Sequence, residues 1–388
     1  MDGGIVKSAA FLQIILRRDG MALFAGKNFT REEILAYIGD PLQIAGVRSF
    51  SYNDGKASGV RGISVNTGSG VTFTVLPGRG MDVPEMYYRG IPLHFFSGTG
   101  ITSPAYYEEP GLGWLRGFFA GLLTTCGITN SGAPSKDMGV AYGLHGRISN
   151  TDAEDVSVNQ GWVGDEYKIE IRGKLREVSA MGENVVLTRV FETELGKRGF
   201  TLRDTIENRG FEEQPIMMLY HMNFGFPLLS PNSRVVAPII SSEPRDEEAK
   251  RDRGVEECLK FSEPIHGYNE KVFFHRLASD GNGNTFVSLV NSDIGNGETL
   301  GVVVRFNTRE LPELTEWKMM RKGFYVVGLE PGLVTPLGRG NLRERGKLPF
   351  LKGQDSYSIA IDVEVIDSLE EIKKLENEVS SLLEHVQL

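Results

Sequence analysis

The chain has 388 residues, with 42 Lys and Arg against 51 Asp and Glu and a formal net charge of -9. An acidic balance without a Lys/Arg stripe argues against nucleic acid as a partner, because phosphate neutralisation requires clustered positive charge. Gly accounts for 47 residues, well above the roughly 7% of average usage, and that excess calls for many turns.

The apolar run Ala9 to Leu16 contains one Gln and is followed by Arg17, Arg18 and Asp19. It is too short for a membrane span, which needs roughly 18 to 20 residues, and its charges follow the apolar stretch instead of preceding it as in a signal peptide. Residues 1–22 therefore read as a loose arm or an upstream start-site artefact, since Met21 stands just before a well-formed structural start. Cys126 and Cys258 stand 132 residues apart with no C-x-x-C spacing, which reads as two reduced thiols in a cytoplasm.

The first strong element is a short helix. Thr30 and Glu33 form a capping box, Ile34, Leu35 and Ile38 make its apolar face, and Gly39 with Pro41 stops it. From Ile44 onward the period changes to two. Alternating runs at 47–52, 62–66, 71–76, 167–175, 185–194, 200–208, 216–223, 272–277, 286–290, 300–306, 324–329 and 357–365 are separated by Gly, Asn or Asp. No helical pattern of ten or more residues divides them, which argues against βαβ units and for an all-β, antiparallel class. That many strands exceeds what one open twisted sheet carries, which predicts a large sandwich or distorted barrel in one domain over residues 23–366.

Two stretches break the pattern. Residues 96–150 are rich in Gly, Ser, Thr and Pro, yet Tyr106, Tyr107, Trp114, Phe118 and Phe119 argue for a functional segment over a disordered one. The charge-dense stretch Glu243 to Glu257 reads as a solvated surface excursion. Residues 367–388 predict an amphipathic helix capped by Ser368, with Ile372, Leu375, Val379, Leu382 and Val386 as an apolar seam. Such a seam would dock on its own sandwich or pair with a second copy as a homodimer.

Of the six His, His385 near the chain end and His275 on an alternating strand have simple structural readings. His145 lies in a glycine-flanked turn, Tyr142-Gly143-Leu144-His145-Gly146-Arg147, where backbone can pass close to a ligand. His221 and Asn223 share one face of a strand end, Leu219 to Gly225. Imidazole suits proton donation near neutral pH, though each His fits a hydrogen-bonded structural role equally well. Glu330 closes an apolar strand before Pro331 and Gly332, so it is either paired or held with a raised pKa as a base. In Pro77-Gly78-Arg79-Gly80-Met81-Asp82, Arg79 offers a fork of donors that Asp82 could orient, or the two form a hairpin ion pair.

Taken in order, Leu144-His145-Gly146, Tyr220-His221-Met222-Asn223-Phe224 and Gly328-Leu329-Glu330-Pro331 resemble the galactose mutarotase (aldose 1-epimerase) superfamily. Arg79 to Asp82 and Gly143 to Arg147 are similar to stretches of its aldose-epimerase-like branch. The resemblance implies a β-supersandwich with a sugar cleft, flanked here by the short N-terminal helix and the C-terminal helix. It implies Glu330 as general base on the anomeric hydroxyl, His221 as general acid on the ring oxygen, and His145 as a second His on the same region. It further implies no cofactor; beside it, Arg79, Asp82, Arg147, Asn223 and Trp317 read from the residues themselves as substrate contacts, Trp317 as an apolar platform, for a monosaccharide, sugar acid or cyclic polyol. Three other readings stand beside it: a hydrolase opening the ring of a keto-inositol-type polyol, a non-catalytic carbohydrate-binding protein, and a divalent metal held by His145, His221 and Glu330. Characterised mutarotases surround the catalytic His with Asn-His-Ser-Tyr-Phe-Asn, whereas Met222 and Phe224-Gly225-Phe226 stand here. The substrate is therefore open.

Overall fold

A computed structural model describes residues 21–295 and 297–384. Residues 1–20, which make up most of the expected arm, lie outside the described residues, as do His385 and Val386. Among the described residues the first strand is Ala22–Phe24, paired with Lys27–Phe29.

The N-terminal helix is shorter than predicted, Arg31–Leu35. Its capping box forms in both directions: the Thr30 hydroxyl accepts from the Glu33 amide at 3.2 Å, and the Glu33 carboxylate accepts from the Thr30 amide at 2.7 Å. The helix buries Ile34, while Leu35 stays exposed and Ile38 falls beyond its end.

The alternating runs become antiparallel strands in two main layers. An eight-stranded sheet runs in the order Glu154–Val163, Glu166–Val178, Asn184–Glu194, Gly199–Asn208, Ser356–Ile366, Leu300–Asn307, Asn284–Asn291 and Ser233–Val236. Along Glu166–Val178 the residues Tyr167, Ile169, Ile171 and Leu175 turn inward by period two. A six-stranded sheet faces the same core. Its strands are β1 (Leu123–Ile128), β2 (Met217–Phe224), β3 (Ile239–Pro244), β4 (Lys271–Leu277), β5 (Glu313–Arg321) and β6 (Phe324–Gly332), in the spatial order β1-β2-β6-β5-β4-β3. A five-stranded sheet from Gly46–Ser51 to Ile91–Pro92 completes the sandwich.

Strand β2 is buried on both faces. Met218, Tyr220, Met222 and Phe224 enter the main core, and Leu219 and His221 turn to the opposite side. That opposite side is roofed by the irregular 96–150 segment, whose Trp114 and Phe118 pack against Leu219.

The C-terminal helix Leu369–Glu384 takes the first of its two expected positions. Ile372, Leu375 and Leu382 pack on Phe286, Val290, Val303 and Ile366, on the outer face of the chain's own large sheet. The apolar seam is thereby satisfied within one chain. No described helix is long and apolar enough to cross a membrane.

Candidate active site

The sheet register assembles the site. Leu219 pairs with Gly332 and Asn223 with Gly328, so His221 on β2 falls opposite Glu330 on β6. Glu330 in turn pairs with Thr315 on β5, and His221 with Thr124 on β1. One cross-strand row thus carries Thr124, His221, Glu330 and Thr315, with their side chains on one face of the sheet.

His221 and Glu330 are 5% and 2% exposed, and Nδ1 of the imidazole lies 3.1 Å from Oε1 of the carboxyl. The approach is close but not aligned as a hydrogen bond, and both atoms are buried without a partner, as is Thr315 Oγ1. Three unpaired polar atoms in one row are a costly arrangement unless a ligand completes them. Gly328 makes the room: a Cβ there would stand 2.3 Å from Glu330 Oε1.

His145 reaches the row from the loop before it. Its backbone adopts φ 58°, and Gly146 follows at φ 73°, where a Cβ would lie 2.5 Å from the carbonyls of Asn130 and Gly127. The Gly132 amide donates to His145 Nδ1 at 3.3 Å, which leaves the ring proton on Nε2. The ring centroid sits 4.7 Å from that of Trp114 and 5.6 Å from that of His221.

Above the row opens a cleft of about 530 Å³, walled by Trp114, Phe118, Leu112, Leu115, Trp317 and Leu337. Trp317 donates its indole N–H to Glu270 at 2.8 Å, and Arg245 donates to the other oxygen of Glu270 at 2.9 Å. Two more open hollows, of about 710 and 610 Å³, lie elsewhere on the surface, and neither is lined by a His.

Burial sets the electrostatics. It pushes Glu330 well above the ordinary carboxylate range, with the nearby Glu270 charge adding to the effect. It holds His145 down at about 3, and it takes His221 well below its usual value, helped by His145.

The other expected contacts divide. Trp317 lines the cleft as a platform. Asn223 lies one pleat along from His221, with its amide given to the carbonyls of Ala120 and His221. Arg147 sits outside the cleft wall, bound to Glu109 at 2.7 Å. The other two expected contacts, Arg79 and Asp82, lie buried inside the protein and do not line the cleft. Arg79 is 1% exposed and donates to the carbonyls of Ser149, Thr102 and Gly117, which staples the roof segment to the fold. Asp82 accepts from Thr125 at 2.6 Å and pairs with Arg189 at 3.3 Å. Arg189 also binds Asp204 with two parallel bonds of 2.9 and 2.7 Å.

The stretch Glu243 to Glu257 is likewise more than a solvated excursion. It contributes Arg245 to the cleft wall and buries Ala249 against Phe273. Nor do His145, His221 and Glu330 converge as metal ligands. Among the described residues, the trio of His, Cys, Asp or Glu whose ligand atoms all lie within 4.8 Å of one another is Cys258, His275 and Glu316.

The antiparallel sandwich with a roofed cleft on its six-stranded sheet is the galactose mutarotase-like fold. Residues 57–365 match the family described as Domain of unknown function (DUF4432), and the chain belongs to that family. It superposes on a structure from Klebsiella pneumoniae subsp. pneumoniae MGH 78578, provisionally named an aldose 1-epimerase, with TM-score 0.81 and 27% identity over 87% of both chains. A galactose mutarotase-like protein from Clostridium acetobutylicum aligns with TM-score 0.57 and 16% identity, over 84% of this chain and 100% of that one. Galactose 1-epimerase from Lactobacillus acidophilus NCFM aligns with TM-score 0.54 and 12% identity, over 84% and 99%. The last two likenesses concern the fold alone. No curated protein matches the sequence at a significant level.

Proposed function

We propose that the chain is a carbohydrate-active enzyme of aldose 1-epimerase type, opening and reclosing a cyclic sugar or sugar acid with Glu330 and His221 as its acid/base pair. The observation that carries this reading is the row of unpaired buried atoms, His221 Nδ1, Glu330 Oε1 and Thr315 Oγ1, beneath an aromatic cleft.

Burial favours the neutral form of both groups, so the pair holds one proton, on the carboxyl. Passing that proton across the 3.1 Å gap to His221 creates a carboxylate base and an imidazolium acid in one move. Glu330 then takes the proton of the anomeric hydroxyl while His221 delivers its proton to the ring oxygen. The bond from the anomeric carbon to the ring oxygen breaks, and the aldehyde rotates. Reclosure on its other face runs the same transfers backward, so the pair ends with the proton it began with. His145, held neutral, donates its Nε2 proton to the same oxygen region, and Trp317 supplies an apolar face for the ring.

Proton NMR with a panel of aldoses, uronic acids and oxidised inositols tests the proposal. Wild type accelerates exchange between anomers, and Glu330→Gln loses roughly 10²- to 10⁴-fold of that rate. An open-chain product with water added would move the assignment to a ring-opening hydrolase. Saturable binding without turnover by either form would move it to a carbohydrate-binding protein. A second expectation concerns pH. Because a single proton serves the pair, the rate follows a bell: it falls in acid when a second proton removes the base, and in alkali when the only proton is lost. A monotonic pH–rate profile for kcat would contradict the shared proton.

A further inference from the structure

The reverse face of the cleft sheet carries a second group of reactive side chains that the proposed reaction does not use. His275 on β4 and Glu316 on β5 point away from the cleft by period two, opposite in sense to Thr315 and Trp317. Cys258 meets them from the turn after the short helix Gly254–Glu257. The three are 3%, 0% and 2% exposed respectively. His275 Nε2 lies 2.9 Å from Glu316 Oε2, and the three ligand atoms all fall within 4.8 Å of one another.

We propose that Cys258, His275 and Glu316 bind one divalent transition ion of the zinc class, which fastens the 245–261 segment to the back of the cleft sheet. Three observations support this. First, a thiol, an imidazole and a carboxylate are a donor set suited to zinc, and a tetrahedral ion would keep one further position. Second, His275 Nδ1 is engaged by the Ser242 hydroxyl at 2.8 Å, the kind of outer partner that fixes a ligating imidazole and leaves Nε2 facing the ion. Third, Glu316 Oε1 is buried with no hydrogen-bond partner, an expense that coordination would remove.

Charge is consistent with the same occupant. Lys318 spends its ammonium on the carbonyls of Glu257, Cys258 and Lys260, holding the turn that presents the thiol. A divalent ion bound by one thiolate and one carboxylate makes a neutral centre, so Lys318 does not face a second net cation. The bound ion would order the segment that carries Arg245 to the cleft wall.

The test is metal content and cobalt spectroscopy on the full chain. Protein grown with added zinc should carry one equivalent per chain, and Cys258→Ser and Glu316→Gln should each lose it while Glu330→Gln keeps it. Should those variants fail to fold, wild type reconstituted with Co²⁺ should show a thiolate-to-cobalt charge-transfer band in the near ultraviolet. Metal-free wild type that also gives no such band overturns the proposal. So does metal that survives both Cys258→Ser and Glu316→Gln but is lost in Glu330→Gln.

Discussion

Gly328 shows how narrowly the acid/base row is built. Its backbone needs no left-handed conformation, so alanine is tolerated there by the strand, and the only heavy price falls on the Glu330 carboxyl that the new methyl would displace. Gly328→Ala should therefore lower kcat by about 10²-fold, as small misplacements of a catalytic group do, while the melting temperature moves little. An unchanged kcat would remove Glu330 from the reaction. His145, His221 and Glu330, which taken singly fit structural roles equally well, are singled out by the order of the three motifs that carry the family resemblance, and all three line one cleft. Arg79 and Asp82 stand in an equally suggestive motif, but Arg79 holds the roof segment through backbone carbonyls and Asp82 joins a buried ion network with Arg189, and nothing local separates these uses from a substrate contact. Arg245, Glu270 and Thr315 were missed because their common wall exists only after β3, β4 and β5 have paired.

At the level of elements, hydrophobic alternation located most long strands to within a few residues. It failed on β5, where Glu316 and Lys318 occupy buried positions and break the apolar pattern. It also failed on β1, whose Gly and Thr residues blend into the irregular roof segment. The C-terminal helix was foreseen, and its seam is what holds it. Two of its ion pairs, Arg305 with Glu378 at 2.7 Å and Arg234 with Glu376 at 2.5 Å, are partly solvated and worth roughly 0.2 to 1 kcal/mol each. Leu375, at 4% exposure, should dominate: Leu375→Ala is expected to cost about 2–5 kcal/mol in urea unfolding. A loss no larger than that of Glu378→Ala would show that packing is not what docks the helix.

The whole molecule should lose stability as pH rises through the weakly acidic range. Burial pushes Glu177 up to about 7, against the amides of Ile128 and Thr129 that favour its charge, and Asp82 rises to about 6 for the same reason despite Arg189. The unfolded chain releases the Glu177 proton near 4.5 and the native state near 7. Between those values the native state binds more protons, so this contribution is complete below 4.5 and is lost as pH climbs through 7. The amount is about 3 kcal/mol, and Glu177→Gln should flatten that part of the curve when stability is measured by urea at about pH 5 and about pH 8. Equal slopes in the two proteins would place Glu177 in its charged form.

One consequence lies in the order of synthesis. Ser356–Ile366 sits between Gly199–Asn208 and Leu300–Asn307 in the large sheet, yet it leaves the ribosome after both. Until it arrives, the nascent protein holds two half-sheets with facing bare edges. Those edges offer unpaired backbone to any other chain in the same state. A ribosome stalled shortly before residue 356 would therefore release a product that clumps through those edges, and the final strand acts for its own fold as the closure that keeps strangers out.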